Sequence, residues 1–460
     1  MIRRFNIPRT GYQVAEIGKS AELAPLIVPR PEHSISRANI SRNAVKVLYR
    51  LKDGGHQAFL VGGGVRDLLL GREPKDFDIA TDARPEEVRA LFSNCRLIGR
   101  RFRLAHIRFG REIIEVATFR ATSSSEGDAD DKGDGNTQVF HESGRILSDN
   151  VYGNIEQDAM RRDFTINALY YNIADYSIWA FADGLEDIKL RRIRLIGDPV
   201  KRYTEDPVRM LRAARFAAKL DFRIDAAGAE PIPSMAELLD DVPPARLFDE
   251  FLKLFQSGHA AQSFYHLRGL GLFRYLFPDT DRSLEARPQD AELIQKALVN
   301  TDNRIEAGKS VTPMFLFGVF LWGPVRDRAA ELQGEGVSEM QALIEALGEI
   351  ASQQAQRIAL PRRFGFPMRE MLQLQPRFAT KRGRRAMSLL NHRRFRAAYD
   401  LMLLRAEVGE VDEETASFWT TIQEVTEEEQ RQRFGLGNRP GQGNRPGRPG
   451  RKRRRAKPAD

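Results

Sequence analysis

Cysteine is almost missing from this chain. Cys95 is the only one in 460 residues. An internal disulfide is therefore impossible, and a cysteine-based zinc site is excluded. Long apolar runs are missing as well. The longest, such as AFLV (58–61) and MFLFGVFLW (314–322), fall well short of the roughly 18 residues a membrane span needs. The basic opening MIRRFNIPRTGYQ has no apolar segment behind it, so no secretory signal is expected and the cytoplasm is the expected compartment. Apolar side chains nearly vanish in RPGQGNRPGRPGRKRRRAKPAD, residues 439–460, which hold nine Lys or Arg against one Asp. That net of +8 accounts for most of the total of +9 and leaves about +1 for the rest. Such a tail cannot bury a core and is expected to be disordered. It is either a solvated extension or an arm for a polyanion, and with no membrane segment the favoured polyanion is nucleic acid.

The whole chain has 42% hydrophobic and 29% charged residues, and length for two to four domains. Residues 1 to about 35 show no clear period and read as a loose extension. A helix is expected from Ser41 to Leu51, capped by Ser41 and stopped by Gly54-Gly55, with Ala44, Val45, Leu48 and Leu51 on one face. Strands are expected at Gln57–Val61 and Phe77–Thr81, with short helices at Val65–Leu70 and Pro85–Phe92. CRLIG, LAHIRFG and EIIEVATF read as three further strands, the last two joined by a hairpin turn. The order implies a small mixed sheet with helices on one side. SSSEGDADDKGDGN (123–136) reads as a mobile loop; it fails the EF-hand pattern at Lys132 and Val139, so calcium is set aside. Beyond it, NIEQDAMRR reads as a helix, FTINALYYNI leads into a strand, Phe181–Asp187 turns, and IRLIG is a strand. From Pro199 to about residue 430 the pattern is mostly helical.

The chemistry concentrates in FLVGGGVRDLLLGREPKDFDIAT, residues 59–81. A P-loop would need Gly-Lys-Ser/Thr where Val65-Arg66-Asp67 follow, and a dinucleotide fingerprint would need a glycine where Asp67 stands. What remains is a strand, a glycine turn and a short helix. Gly62, Gly63 and Gly64 lack Cβ atoms, so a ligand can approach the chain closely, and backbone N–H groups there can meet phosphate. Asp76 and Asp78 are two residues apart on the expected strand and so share a face, with Phe77 turned to the core. Adjacent carboxylates repel unless a cation lies between them, and hard oxygens without Cys or His suit Mg²⁺. Glu115 stands mid-strand between Ile114 and Val116, which face the other way. If its strand pairs beside Asp78, three carboxylates surround one or two metals, the arrangement for nucleotidyl transfer.

LVGGGVRDLLLGREPKDFDIAT, EQDAMRRDFTINALYYN (156–172), IRLIGDP and RYTEDPVRMLRAARFAAKLDF (202–222) together resemble the class II branch of the nucleotidyltransferase superfamily, which holds tRNA CCA-adding enzymes and bacterial poly(A) polymerases. The similarity runs over roughly residues 40 to 405. One departure is Asp183, where the family has the first glycine of a pair. The resemblance implies an α+β fold with these parts: an N-terminal extension (1–38), a nucleotidyltransferase head (39–198), an all-α neck (199–270), a helical RNA-binding body (271–430) and a disordered basic tail (431–460).

It also implies roles. Asp76, Asp78, Glu115 and Asp163 are the implied catalytic residues, with Mg²⁺ on the first two. Gly62, Gly63 and Arg66 meet the triphosphate of ATP. Arg161, Arg162 and Asp163 lie near sugar and phosphates, where Asp163 either accepts from a ribose hydroxyl or orients an arginine. Asp206-Pro207 reads locally as a helix cap; the family reading adds that Asp206 and Arg209 face the base, with Arg212 reaching the triphosphate. A carboxylate and a guanidinium so placed accept adenine or cytosine and reject guanine and uracil.

Three features favour the poly(A) group over CCA addition: LIGRRFRLAHIRFG (97–110), FRAAYDLMLLRAE (395–407) and the basic tail. None of the seven histidines precedes an Asp, so the phosphohydrolase domain of some CCA enzymes is missing; His106 reads as a packed strand residue. KRGRRAMSLLNHRRFRAAYD (381–400) is either a solvated basic face or an RNA contact, in which Phe395 or Tyr399 is available to stack. Arg384, Arg385, Arg393 and Arg394 there, and Arg451, Lys452, Arg453, Arg454 and Arg455 in the tail, are the candidate RNA ligands. The expected activity is transfer of AMP from ATP to RNA 3′ ends by a monomer, with RNA-decay machinery as a family-implied partner. CCA addition is the alternative, and a non-catalytic RNA-binding protein the second alternative.

Overall fold

The computed structural model describes residues 24–99, 103–121, 138–140, 146–149 and 151–436. The acidic loop at 123–136 and the basic tail beyond 436 lie outside the described residues. The chain forms two units. One runs to Ala286 and takes in Leu298–Val311 and Ile350–Leu360; the other comprises Arg287–Ala297, Thr312–Glu349 and the chain from Pro361 onward.

The first unit begins with strand β1 (Leu26–Val28), followed by helix α1 (Arg42–Asp53). Ser41 starts α1: its Oγ accepts from the N–H groups of Asn43 and Ala44. Ala44, Val47, Leu48 and Leu51 are the buried face, while Val45 is half-buried. Strand β2 (Ala58–Val61) is buried at all four positions because it is an inner strand. Helix α2 (Gly63–Leu69), strand β3 (Asp78–Thr81) and helix α3 (Pro85–Leu91) follow. Strands β4 (Cys95–Ile98), β5 (Leu104–Phe109) and β6 (Glu112–Thr118) follow as an antiparallel meander, its last two strands joined by the expected hairpin turn. A separate hairpin joins β7 (Gln138–Phe140) and β8 (Ile146–Asp149). Helix α4 (Ile155–Met160) precedes β9 (Leu169–Asn172), β10 (Ile178–Ala180) and helix α5 (Gly184–Lys189).

The main sheet has eight strands in the order β1-β10-β9-β2-β3-β6-β5-β4. Every pairing is antiparallel except β3 with β6. Alternation sorts the side chains. Leu60, Ile79, Ile114, Val116, Ile107 and Tyr171 join α1 and α3 in the larger core. Phe59, Val61, Ala80 and Tyr170 face the other way, against Ala159 of α4 and Phe181. Leu60 is wholly buried in that larger core, and truncating such a residue to Ala costs about 2–5 kcal/mol.

Two segments differ from the sequence reading. Leu26–Val28, read as part of a loose extension, is the edge strand of the sheet and pairs with β10. Phe181–Asp187, read as a turn, leads straight into α5. Asp183 has an ordinary φ of −70° and pairs with Arg194 at 2.9 Å, so this position needs no glycine. Gly184 does need to be glycine, because a Cβ there would collide with the Thr165 carbonyl.

Strand β11 (Arg192–Ile193) leaves the main sheet and pairs in parallel with β12 (Arg223–Ile224). Between them run helix α6 (Pro199–Glu205), capped by Asp198, and helix α7 (Val208–Leu220). In the second unit, Phe378, Phe395 and Phe434 surround Trp419 at 5.3, 5.8 and 6.0 Å, and the Trp419 indole N–H donates to the Phe378 carbonyl at 2.8 Å. Among the described residues no helix is long and apolar enough to cross a membrane.

Candidate active site

Strand β2 ends in a glycine turn. Gly62 has φ +69° and ψ −133°, a conformation open only to glycine at low cost. At Gly64 an added Cβ would lie 3.5 Å from the Asp76 carbonyl, an ordinary contact, so the space there does not itself demand glycine.

The acidic residues enter from neighbouring strands. Asp78 opens β3 and pairs in register with Glu115 of β6, as the alternation of both strands requires. Val61 stands opposite Asp78 on its other side, and Tyr170 opposite Val61. One face of the sheet therefore presents the row Tyr170, Val61, Asp78, Glu115. Asp76 lies two residues before the strand rather than on it, and it is exposed. Asp78 is open to solvent on one side yet crowded by protein on the others. Burial, then the charge of Glu115, pushes its pKa up to about 6; Arg162 opposes this and Asp76 adds to it. Glu115 also meets His106, with Oε1 3.1 Å from Nε2. Reading His106 as packing alone missed that contact. Among the described residues no three His, Cys, Asp or Glu side chains converge into a metal cage, so Asp76, Asp78 and Glu115 do not close on a common point. They do crowd charge around Asp78, which a cation would relieve.

Facing this row is a cleft of about 490 Å³, lined by Gly62, Gly63, Arg66, Asp78, Arg162, Asp163, Asp206, Arg209 and Arg212, together with Asn167, Phe216 and Lys219. Nine sequence candidates thus meet at one place. Asp76, Glu115 and Arg161 are not in the lining.

Each arginine of the cleft is held. Arg66 is 2% exposed, donates from Nε and Nη2 to Asp67 at 2.9 and 2.7 Å and from Nη1 to Asn167 Oδ1 at 2.6 Å, and lies over Phe216. Arg162 donates to Asp158 Oδ2 at 2.9 Å and to the Tyr170 hydroxyl at 2.7 Å, and Tyr170 itself donates to Asp158 at 2.7 Å. Burial works against charge on Arg162, but Tyr170 and Asp158 outweigh it and raise its pKa. Asp163 accepts from Arg212 Nε at 2.7 Å, from Asn167 at 3.1 Å and from the Phe164 N–H at 2.8 Å. Burial opposes its ionisation, yet Arg212 and these hydrogen bonds hold its pKa down to about 2. Of its two expected roles, orienting an arginine is the one this geometry displays.

Arg161 is pushed down to about 9 by burial and by Arg120, Arg162, Arg202 and Arg209 around it. It stays protonated at neutral pH, so the cluster is a concentration of positive charge. Asp206 ends α6; its Oδ1 accepts from the Val208 N–H at 3.3 Å, the expected capping contact, and its Oδ2 from Arg246 at 2.7 Å. Arg209 donates to the Arg202 carbonyl at 2.7 Å and to Glu205 at 2.9 Å.

Sequence reasoning missed Asn167, Phe216 and Lys219, and the holding partners Asp67, Asp158, Tyr170, Glu205 and Arg246. Phe216 and Lys219 had a readable signal: with Arg209 and Arg212 they recur at i, i+3, i+7 and i+10 on α7, which is one helical stripe. Among the candidate RNA ligands, Arg384 and Arg385 are exposed, whereas Arg393 and Arg394 both pair with Glu370. Arg451, Lys452, Arg453, Arg454 and Arg455 lie outside the described residues. The stacking expectation for Phe395 and Tyr399 fails. Both are buried, 5.8 Å apart, in the core around Trp419, because positions 395, 398, 399 and 402 form the inner face of their helix.

An acidic strand row facing an arginine-lined cleft is the layout of a nucleotidyltransferase, and residues 58–194 match the family model described as the poly A polymerase head domain. Two more models match in order: the probable RNA and SrmB-binding site of polymerase A (221–284) and the polymerase A arginine-rich C-terminus (335–458). Poly(A) polymerase I of Salmonella typhi is 48% identical over 410 residues, covering 88% of this chain and 87% of that one. A CCA-adding enzyme of Lactobacillus helveticus is 37% identical over 221 residues, covering 48% of this chain and 51% of that one. The fold is shared with the Thermotoga maritima CCA-adding enzyme solved with tRNA, with a TM-score of 0.55 and 19% identity over 86% of this chain and 85% of that one. The chain belongs to the bacterial poly(A) polymerase I family.

Proposed function

We propose that this chain adds AMP from ATP to RNA 3′ ends without a template, releasing pyrophosphate. The observation that carries the reading is the cleft in which Asp78 and the glycine turn meet Asp206, Arg209 and Arg212 of the helical neck. Its volume of about 490 Å³ suits a single nucleotide. Asp78 and Asp76, with Glu115 in register, would hold Mg²⁺, which takes one or two carboxylates plus phosphate oxygens and supplies charge for the attacking and leaving oxygens. The protein does the rest by positioning. Gly62 and Gly63 allow the triphosphate to lie against the backbone. Arg66, Arg162 and Arg212 offer forks already fixed by Asp67, Asp158 and Asp163, so little order is lost when phosphate binds. Arg161 adds to the positive field from behind the lining.

Asp206 would accept from the adenine N6 amino group while Arg209 donates to N1. Guanine and uracil present the reverse order and are rejected; cytosine is not separated by these two groups. Arg246 and Glu205 keep the pair in place. Exposed Arg384 and Arg385, and the basic tail, are the proposed phosphate contacts for RNA, with Arg393 and Arg394 available once released from Glu370. A monomer in the cytoplasm that works with RNA-decay machinery belongs to the same proposal.

The test is incorporation of each of the four nucleoside triphosphates separately, with Mg²⁺ and an RNA primer. ATP alone should give long tails. In a second arm, a trimmed tRNA is given ATP and CTP together, and a stop after C-C-A would establish the CCA alternative. No incorporation of any nucleotide would leave the non-catalytic RNA-binding reading.

A further inference from the structure

Phe395 and Tyr399 are lost as stacking platforms, but the same unit offers another aromatic. Phe366 is 61% exposed, and among the described residues no other Phe is exposed. It lies on the helix Arg362–Gln373, whose inner face is Met368, Met371 and Leu372. Arg362, Phe366 and Arg369 recur at i, i+4 and i+7, so they form one outer stripe about 10 Å long. Arg363 lies beside it, with its guanidinium 4.8 Å from the Phe364 ring. Arg362 and Arg363 are exposed, and neither they nor Arg369 have a carboxylate partner among the described residues. That sets them apart from Arg393 and Arg394, which share Glu370 one turn beyond Phe366.

A single exposed apolar side chain is ordinary on a protein surface. An exposed ring among three uncompensated guanidinium groups is not. A protein partner chosen for apolar burial would gain little from desolvating three arginines. A single-stranded nucleic acid uses both features, because a base stacks on the ring while phosphates on either side meet the cations. We propose that Phe366 is a base-stacking platform for the RNA strand, with Arg362, Arg363 and Arg369 as its phosphate contacts. This rests on the reading of the body as RNA-binding and assigns it a specific residue.

The experiment measures binding of single-stranded oligo(A) to the full chain and to Phe366→Ala, Phe366→Trp and Arg362→Ala, each first checked for unchanged thermal melting. Phe366→Ala should bind about tenfold more weakly with the same salt slope. Its KM should rise for RNA but not for ATP. Phe366→Trp should keep the affinity and show emission quenched by oligo(A). Arg362→Ala should flatten the salt slope by about 0.7, the single-strand value for one phosphate. Equal oligo(A) affinity in Phe366→Ala, or unquenched emission at saturation in Phe366→Trp, would overturn the platform while leaving RNA binding intact. If the unaltered chain binds no oligo(A), both readings fall. If Phe366→Ala changes only self-association in sedimentation, the ring belongs to a contact between copies.

Discussion

Arginine is held in two different ways in the two regions of this molecule. In the cleft, Arg66, Arg162 and Arg212 each have a carboxylate within 2.9 Å and an aromatic ring beneath: Asp67 with Phe216, Asp158 with Tyr170, Asp163 with Phe216. In the helical body, Arg362, Arg363, Arg384 and Arg385 are exposed. A triphosphate has one shape, so a fork fixed in advance binds it with little loss of side-chain freedom. An RNA backbone varies in path and sequence, so loose cations that release counterions serve it better. Under the proposed function, the same residue type is rigid where geometry would matter and free where only charge would.

The sharpest break of this comparison is at the acidic row that the fixed arginines face. Asp78→Asn should lower AMP incorporation on the order of 10³-fold or more, with oligo(A) affinity unchanged. Residual activity within tenfold of the unaltered chain would remove Asp78 from the centre.

Next in size is the cost of holding an arginine. Asp163 has its pKa depressed to about 2, so its contribution to stability is complete above about pH 4 and is lost as pH falls toward 2. The loss should be about 2 kcal/mol, read as the extra drop in urea-unfolding free energy relative to Asp163→Asn over that window. Parallel curves for the two proteins would mean that Arg212 does not hold Asp163.

A smaller effect is expected at Tyr170, whose hydroxyl joins Arg162 to Asp158. Tyr170→Phe removes that link but keeps the ring. KM for ATP should rise about tenfold, kcat should change little, and melting should shift only slightly. A large fall in melting with KM unchanged would make Tyr170 a packing residue only.

Much of the head was legible because period-two alternation is strict. It placed Ile114 and Val116 inward, left Glu115 on the face of Asp78, and the register pairs the two. What was not legible depends on contacts across long stretches of chain. Leu26–Val28 is too short, between Pro25 and Pro29, to announce itself; its partner lies about 150 residues on. Arg246 and Tyr170 reach the site from elements whose own patterns speak only of burial. At Phe395 the basic run drew attention outward, while the spacing of Phe395, Ala398, Tyr399 and Met402 already described a buried face.

The smallest expected effect tests the loose side of the comparison. Arg384 and Arg385 begin the helix Gly383–Leu390, whose buried residues are Ala386 and Leu389. Both point away from that core, and neither has a carboxylate partner among the described residues. Replacing both with Ala removes two exposed cations and no packing, so melting should not move. Affinity for oligo(A) should fall a few-fold at moderate salt, and the slope of log affinity against log salt should flatten by about 1.4, the single-strand value for two phosphates. Because these cations are not pre-aligned, Lys should substitute for them with little loss, whereas Lys in place of Arg66 or Arg162 should not support ATP binding. If Lys fails at 384 and 385 as it does in the cleft, the body arginines are forks too, and the division between fixed and loose arginines is wrong.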